Sequence, residues 1–170
     1  MNFDEIKPYT RDASYYVDVP LDGLEASLQR YVEKYGCNLD PDFQRPHVWV
    51  DEQQIRYVEH ILRGGRTGRD ILFNCIGWTQ GDIKDFVLVD GKQRLHALLR
   101  FLHDEIPVFG HKRSEFTGFM RSHHGVKFHV NDLDTRADVL RWYLDFNTGG
   151  TVHTPEEIAR VRALLEAETK

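Results

Sequence analysis

Apolar residues recur along the chain with two periods, and the switching between them lays out the elements. Leu24, Leu28, Tyr31, Val32 and Tyr35 form a helical stripe ended by Gly36, and Asp22 with Glu25 has capping-box spacing at its start. Asp51 with Gln54 predicts the start of a second helix, with Ile55, Val58, Ile61 and Leu62 inward and Gly64-Gly65 as its stop. Leu95, Leu98, Leu99 and Leu102 fall at i, i+3, i+4 and i+7 of a third. Asp134 opens a fourth, with Val139, Leu140, Tyr143 and Leu144 inward. Thr154, Pro155 and Glu157 place an N-cap, a first-position proline and an N3 glutamate ahead of Ile158, Val161, Leu164 and Leu165.

Between the helices, apolar and β-branched runs predict strands at residues 15–19, 71–78, 86–89 and 126–130, with 106–108 as a short edge strand. The turn at 79–82 makes the runs before and after it hairpin partners. Helices and strands mix without sustained βαβ alternation, so the expected class is α+β, built on a small mixed β-sheet surrounded by helices. Residues 1–14 read as a polar arm and 15–170 as one domain, large enough to bury a core without staples.

Composition changes this picture little. The chain has 170 residues and a formal net charge of −5, which argues against coating nucleic acid by bulk charge but leaves room for a local basic groove. Cys37 and Cys75 lack metal or redox spacing and read as reduced thiols. No signal-peptide pattern and no apolar run of membrane-spanning length is present, so a cytoplasmic location without membrane contact is expected.

The change of period after Asp90-Gly91 is where chemistry concentrates. A buried strand, a tight turn and a helix are expected there, with Asp90, Gly91, Lys92, Gln93 and Arg94 at the junction. A helix N-terminus presents unpaired N–H groups and partial positive charge, which suit a phosphate. The plainer reading has Asp90 capping the helix and Arg94 pairing with a surface carboxylate. His96, on the first turn, reads as a donor or general acid, or as a surface residue. Two other clusters carry polar groups that composition does not require: Gln44-Arg45, and Asn147, Thr148, Gly149 and Gly150. Their plainer readings are a salt-bridged loop and a helix C-cap. Arg63, Arg66 and Arg69 form a glycine-loosened basic loop, read first as a solvated connector and second as a nucleic-acid contact. His123, His124 and His129 have a loosely metal-like spacing that also suits a solvated loop, and Trp49, Trp78 and Trp142 read as packing residues.

Taken together, Pro41-Asp42-Phe43-Gln44-Arg45-Pro46, the run from Leu88 through Asp90, Gly91, Lys92, Gln93 and Arg94 to Leu95, and Phe146-Asn147-Thr148-Gly149-Gly150-Thr151 resemble, in order, the motifs of the DUF262 domain. This is the N-terminal domain of GmrSD-type restriction systems, within the ParB/sulfiredoxin-like fold superfamily. The resemblance covers about residues 15–165 and implies that fold, together with nucleotide binding and hydrolysis that powers or gates DNA cleavage. It carries over Gln44, Arg45, Asp90, Gly91, Gln93, Arg94, Asn147, Gly149 and Gly150. Arg45, Lys92 and Arg94 are then expected to bind phosphates, and Asp90 to hold Mg²⁺ or orient water. Two departures stand out: Lys92 occupies a position that is usually glutamine, and the HNH-type nuclease domain of larger relatives is not expected after Leu165, so nuclease function is expected to be either absent or supplied by a partner protein. The turn has no cysteine, which sets sulfiredoxin chemistry aside. The expected partners are a nucleoside triphosphate and DNA. Behind the NTPase reading stand a Mg²⁺-dependent nickase or nuclease using the same site, and a non-catalytic sensor or adaptor.

Overall fold

The computed structural model describes residues 1–6, 15–121, 124–148 and 154–169. Strand β1 (Tyr15–Pro20) leads through a 3-10 turn into α1 (Leu24–Gln29), which continues as a π-helical segment, Arg30–Lys34. Then follow α2 (Asp51–Leu62), β2 (Asp70–Ile76), β3 (Lys84–Asp90), α3 (Lys92–Leu102), β4 (Gly125–Asn131), α4 (Arg136–Thr148) and α5 (Pro155–Glu168). The four-stranded sheet runs β1-β4-β2-β3. Its β1–β4 and β2–β3 pairs are antiparallel and its central β2–β4 pair is parallel, so the sheet is mixed and the fold α+β, as expected.

Alternation along the strands divides the core between the two faces of the sheet. Val19, Ile71, Phe73, Phe86, Leu88, Val126 and Phe128 pack on one face with Leu24, Leu28 and Tyr31 of the first helical segment, Val58 and Ile61 of α2, and Leu95, Leu98 and Phe101 of α3. Val89 packs on the other with Phe43, Leu140, Tyr143 and Leu144 of α4 and Val161 of α5. Trp78 lies against the rings of Tyr31, Tyr35 and Phe86, so it is a packing residue as read.

Several local expectations need correction. Asp22 caps nothing: α1 follows a 3-10 turn, and its N-cap, Gly23, has no side-chain bond. The second helix is closed by Gln53, whose Oε1 accepts from Val50 N at 3.0 Å, while Gln54 turns inward and is 1% exposed. Thr135 closes the start of α4 by accepting from Asp138 N at 3.1 Å. Ile106 and Val108 are buried, but the 106–108 segment makes only a bridge from Val108 to His111, not a sheet strand. Its apolar side chains cover the core without a ladder partner. The Thr154–Glu157 box forms as read, with Glu157 N donating to Thr154 Oγ1 at 3.2 Å and Thr154 N to Glu157 Oε2 at 3.0 Å.

Candidate functional site

The 90–94 junction is built by a slip in register. Along the β2–β3 hairpin Phe73 faces Leu88, but Leu72 faces Asp90, so Val89 is the extra residue of a bulge. Bulges bend a strand and re-aim its side chains, and this one sits where β3 gives way to the turn. Gly91 then takes φ 112°, ψ 5°, a conformation closed to residues with a Cβ. A methyl group there would also lie 2.7 Å from Ile71 Cδ1, inside contact distance. Gly91 is the N-cap of α3 and offers no side chain, so the helix starts without a side-chain cap. Asp90 therefore does not cap it.

Asp90 pairs with Arg94 instead, one turn along α3. Their side chains are 25% and 21% exposed, and Arg94 Nε is buried with no acceptor. The guanidinium fork is thus only partly satisfied within the fold, an arrangement that stability alone does not favour. Two phenols flank the pair. Tyr57, on α2, lies in the field of Arg94, Arg69, Asp90 and Asp70, and burial pushes its pKa well up. Tyr143, on α4, is pushed up to about 12, first by burial, with Asp90 and Glu157 adding and Arg45 and Arg160 opposing. The charged groups of the 41–46 loop, the turn and α5 thus meet around one ring.

The first two sequence clusters are joined here by their amides. Gln44, buried, donates from Nε2 to the Leu88 carbonyl at 2.6 Å, and its backbone carbonyl accepts from Arg160 Nη2 at 2.8 Å. Gln93, also buried, accepts from Val48 N and Trp49 N at 2.9 and 3.1 Å and donates to Pro46 O at 3.1 Å. Lys92 pairs with Asp40 and donates to Arg45 O at 3.3 Å. These three side chains hold the 40–49 segment against β3 and α3. Asn147, of the third cluster, donates from Nδ2 to Tyr143 O at 2.8 Å, a contact within α4. Gly149 and Gly150 lie outside the described residues, as does the Thr148 side chain. Among the described residues, the Arg45 guanidinium has no hydrogen bond or ion pair, so at this site Arg45 and Arg94 both keep donors in hand.

His96 points to a different neighbour. Its ring lies 4.0 Å from that of His47, centroid to centroid, and Gln54 Nε2 donates to His47 Nε2 at 3.1 Å. Both imidazoles are held below the usual histidine pKa. For His47 the causes are desolvation, then His96; for His96, desolvation, then Arg100. Groups facing the pair include Lys92 on α3, which also opposes protonation, whereas Glu105 favours the protonated form at His96 and a backbone hydrogen bond with Trp49 favours it at His47, neither outweighing desolvation. The fold therefore prefers both rings neutral. From the ordinary value of about 6.5 downward, the unfolded chain takes up protons that the folded chain resists. Stability contributed by the pair should be whole above that pH and fall as pH drops toward the folded values. Because both rings are exposed, the effect is modest. His96→Asn should flatten the fall in melting temperature between pH 7.5 and 5.5; a slope equal to that of the native chain would exclude the pair as its source.

The basic loop is ordered, and two of its arginines have partners. Arg63 lies over the Phe109 ring at 4.8 Å, and Arg69 Nε donates to Gly125 O at 2.8 Å. Tyr57 OH donates to Gly68 O at 2.9 Å, pinning the loop to α2. Arg66 is exposed and without a partner among the described residues. Tyr57 and Tyr143 were not legible as site residues: Tyr143 sits on a helix stripe that read as core, and Tyr57 lies off the apolar face of its helix with no motif around it. Arg160 carried no sequence signal.

Among the described residues, no group of three or more His, Cys, Asp or Glu side chains could hold a metal ion. His129 pairs with Asp70 at 2.7 Å, and His123 lies outside the described residues, so the histidine spacing makes no evident metal site. For Mg²⁺, Asp90 is a lone carboxylate with one oxygen engaged by Arg94, which fits an ion held mainly by phosphates. A cleft of about 510 Å³ along the β3 edge is lined by Asn38, Asp40, Asp42, Lys84, Asp85 and Arg136, not by the 90–94 turn. With three carboxylates in its wall, it is a poorer seat for an anion than the turn.

The model of one protein family, the GmrSD restriction endonuclease, N-terminal domain, matches residues 28–127. The chain belongs to this family, which is that of a restriction system. The match contains the Gln44-Arg45 pair, the basic loop and the 90–94 turn, and ends before Asn147. No curated protein matches the chain. No described helix is long and apolar enough to cross a membrane.

Proposed function

We propose that the chain binds a nucleoside triphosphate at the 90–94 turn and cleaves its terminal phosphoanhydride, in a restriction setting that involves DNA. The observation that carries this reading is the Asp90–Arg94 pair beside a helix start with no side-chain cap, where Arg94 keeps an unsatisfied donor. Arg94 and Arg45 grip phosphate oxygens and stabilise the charge that builds as the bond breaks. The α3 N–H groups add donors that need no side-chain reorganisation. Asp90 orients the attacking water and steers Arg94. Bound with the nucleotide, Mg²⁺ would be held by Asp90 and the phosphates and would neutralise phosphate charge. Lys92, Gln44 and Gln93 act one step back, fixing the segment that carries Arg45.

A binding module without turnover is the second reading. It is favoured by one feature: the Asp90 carboxylate is committed to Arg94 in the resting fold. Phosphate release from each ribonucleoside triphosphate with Mg²⁺, with and without DNA, separates the two. Turnover supports the NTPase, whereas tight binding without product supports the module. Mg²⁺-dependent nicking of a plasmid without nucleotide would favour a nuclease over both, and a partner protein supplying nuclease function would restore cleavage only in its presence.

A further inference from the structure

The second face of the sheet is covered over only part of its width. Val89 is buried against α4 and α5, whereas Leu72 and Val87 are only half-buried beside that cluster. Farther across, on β4 and β1, the same face carries Lys127, His129 and Tyr16. The pairing register puts these in line with the turn: Asp90 faces Leu72, Leu72 lies beside His129, and His129 faces Tyr16. Three strand spacings separate Asp90 from Tyr16, about 14 Å at the usual distance between strands. An extended nucleoside triphosphate spans a comparable length from terminal phosphate to base.

The chemistry at the far end is that of a stacking platform. Tyr16 is 62% exposed. The Lys127 ammonium sits 5.0 Å from its ring centroid, and the His129 ring is 6.0 Å away, tilted by 33°. The Asp70 carboxylate, 2.7 Å from His129 Nε2, fixes that imidazole. An exposed tyrosine with a cation beside it presents a π-face to a planar ring and a positive charge to the phosphate borne by the adjoining sugar.

We propose that Tyr16, with Lys127 and His129 around it, seats the nucleobase of the nucleotide whose phosphates lie at the 90–94 turn. This rests on the nucleotide reading above and adds to it the residues that recognise the base. Stacking is tolerant of sequence, so the platform supplies affinity for any base.

The test measures binding of the tightest-binding ribonucleoside triphosphate and of inorganic tripolyphosphate, each with Mg²⁺, to the native chain and to Tyr16→Ala, Tyr16→Phe and Arg94→Ala. Removing the ring should weaken the nucleotide roughly 5- to 100-fold and leave tripolyphosphate unchanged, while Tyr16→Phe binds both like the native chain. Arg94→Ala should weaken both. If Tyr16→Ala binds the nucleotide as the native chain does while Arg94→Ala does not, the platform is wrong and the phosphate site stands. If Tyr16→Ala weakens tripolyphosphate equally, the ring acts through the fold and the platform is again wrong. If the native chain binds neither probe, both readings fall.

Discussion

Asp90→Asn should lower nucleoside triphosphate turnover by roughly 100-fold or more while nucleotide affinity holds or rises. The amide is isosteric with the carboxylate and can still accept a hydrogen bond from Arg94, so the turn keeps its shape. It loses the negative charge needed to orient water or to help hold Mg²⁺, and it no longer repels the incoming phosphates. The loss of affinity expected of a simple binding residue is thereby reversed in sign, which makes the variant diagnostic. Stability should change little. The pair lies within one helix turn with both side chains about a quarter exposed, and such ion pairs contribute about 1 kcal/mol or less. Steady-state turnover and equilibrium binding on one preparation check the prediction, and unchanged turnover would remove Asp90 from the chemistry.

Gly91→Ala should be among the most damaging single-methyl additions in the chain, with a cost of about 3 kcal/mol. Part of that cost is backbone. At φ 112° the residue lies beyond the left-handed region that other residues visit at some strain. The rest is packing. The new carbon would lie 2.7 Å from Cδ1 and 3.1 Å from Cγ2 of Ile71, which is 0% exposed and has little room to withdraw. For a chain of this size the loss corresponds to a fall in melting temperature of roughly 6–12 °C. Ile71→Val in the same background removes the closer of the two atoms and should recover part, but not all, of the loss. A melting temperature within 2 °C or so of the native value would show that the turn can take another path.

Much of the helical framework was legible because its signals are local. The stripe from Leu95 to Leu102 and the Thr154–Glu157 box each lie within a few turns of one helix, where period and capping chemistry are read directly. The polar clusters were legible for the same reason. What the residues do inside the clusters was not. Gln44 and Gln93 look like ligand-binding amides in sequence, yet here their side chains satisfy backbone groups of β3 and of the 46–49 segment, contacts 44 to 47 residues away along the chain. The bulge that sets Asp90 opposite Leu72 depends on pairing with another strand, and the parallel β2–β4 pair joins segments more than fifty residues apart. The expected strand at 106–108 failed on the same ground: burial made it apolar, and no neighbouring strand completes a ladder. Tyr143 carries a helix-stripe signature and Tyr57 carries none, and only tertiary packing sets them around the Asp90–Arg94 pair.

The claim at the centre of this account is that nucleotide phosphates are held and cleaved at the 90–94 turn. Phosphate release from Mg²⁺–nucleoside triphosphate by the native chain and by Arg94→Ala tests it most directly. Turnover is expected in the native chain, with its loss by at least 100-fold in Arg94→Ala at matched folded protein. Equal rates in the two proteins would place the chemistry elsewhere, and no release by either would leave a domain that does not hydrolyse nucleotides.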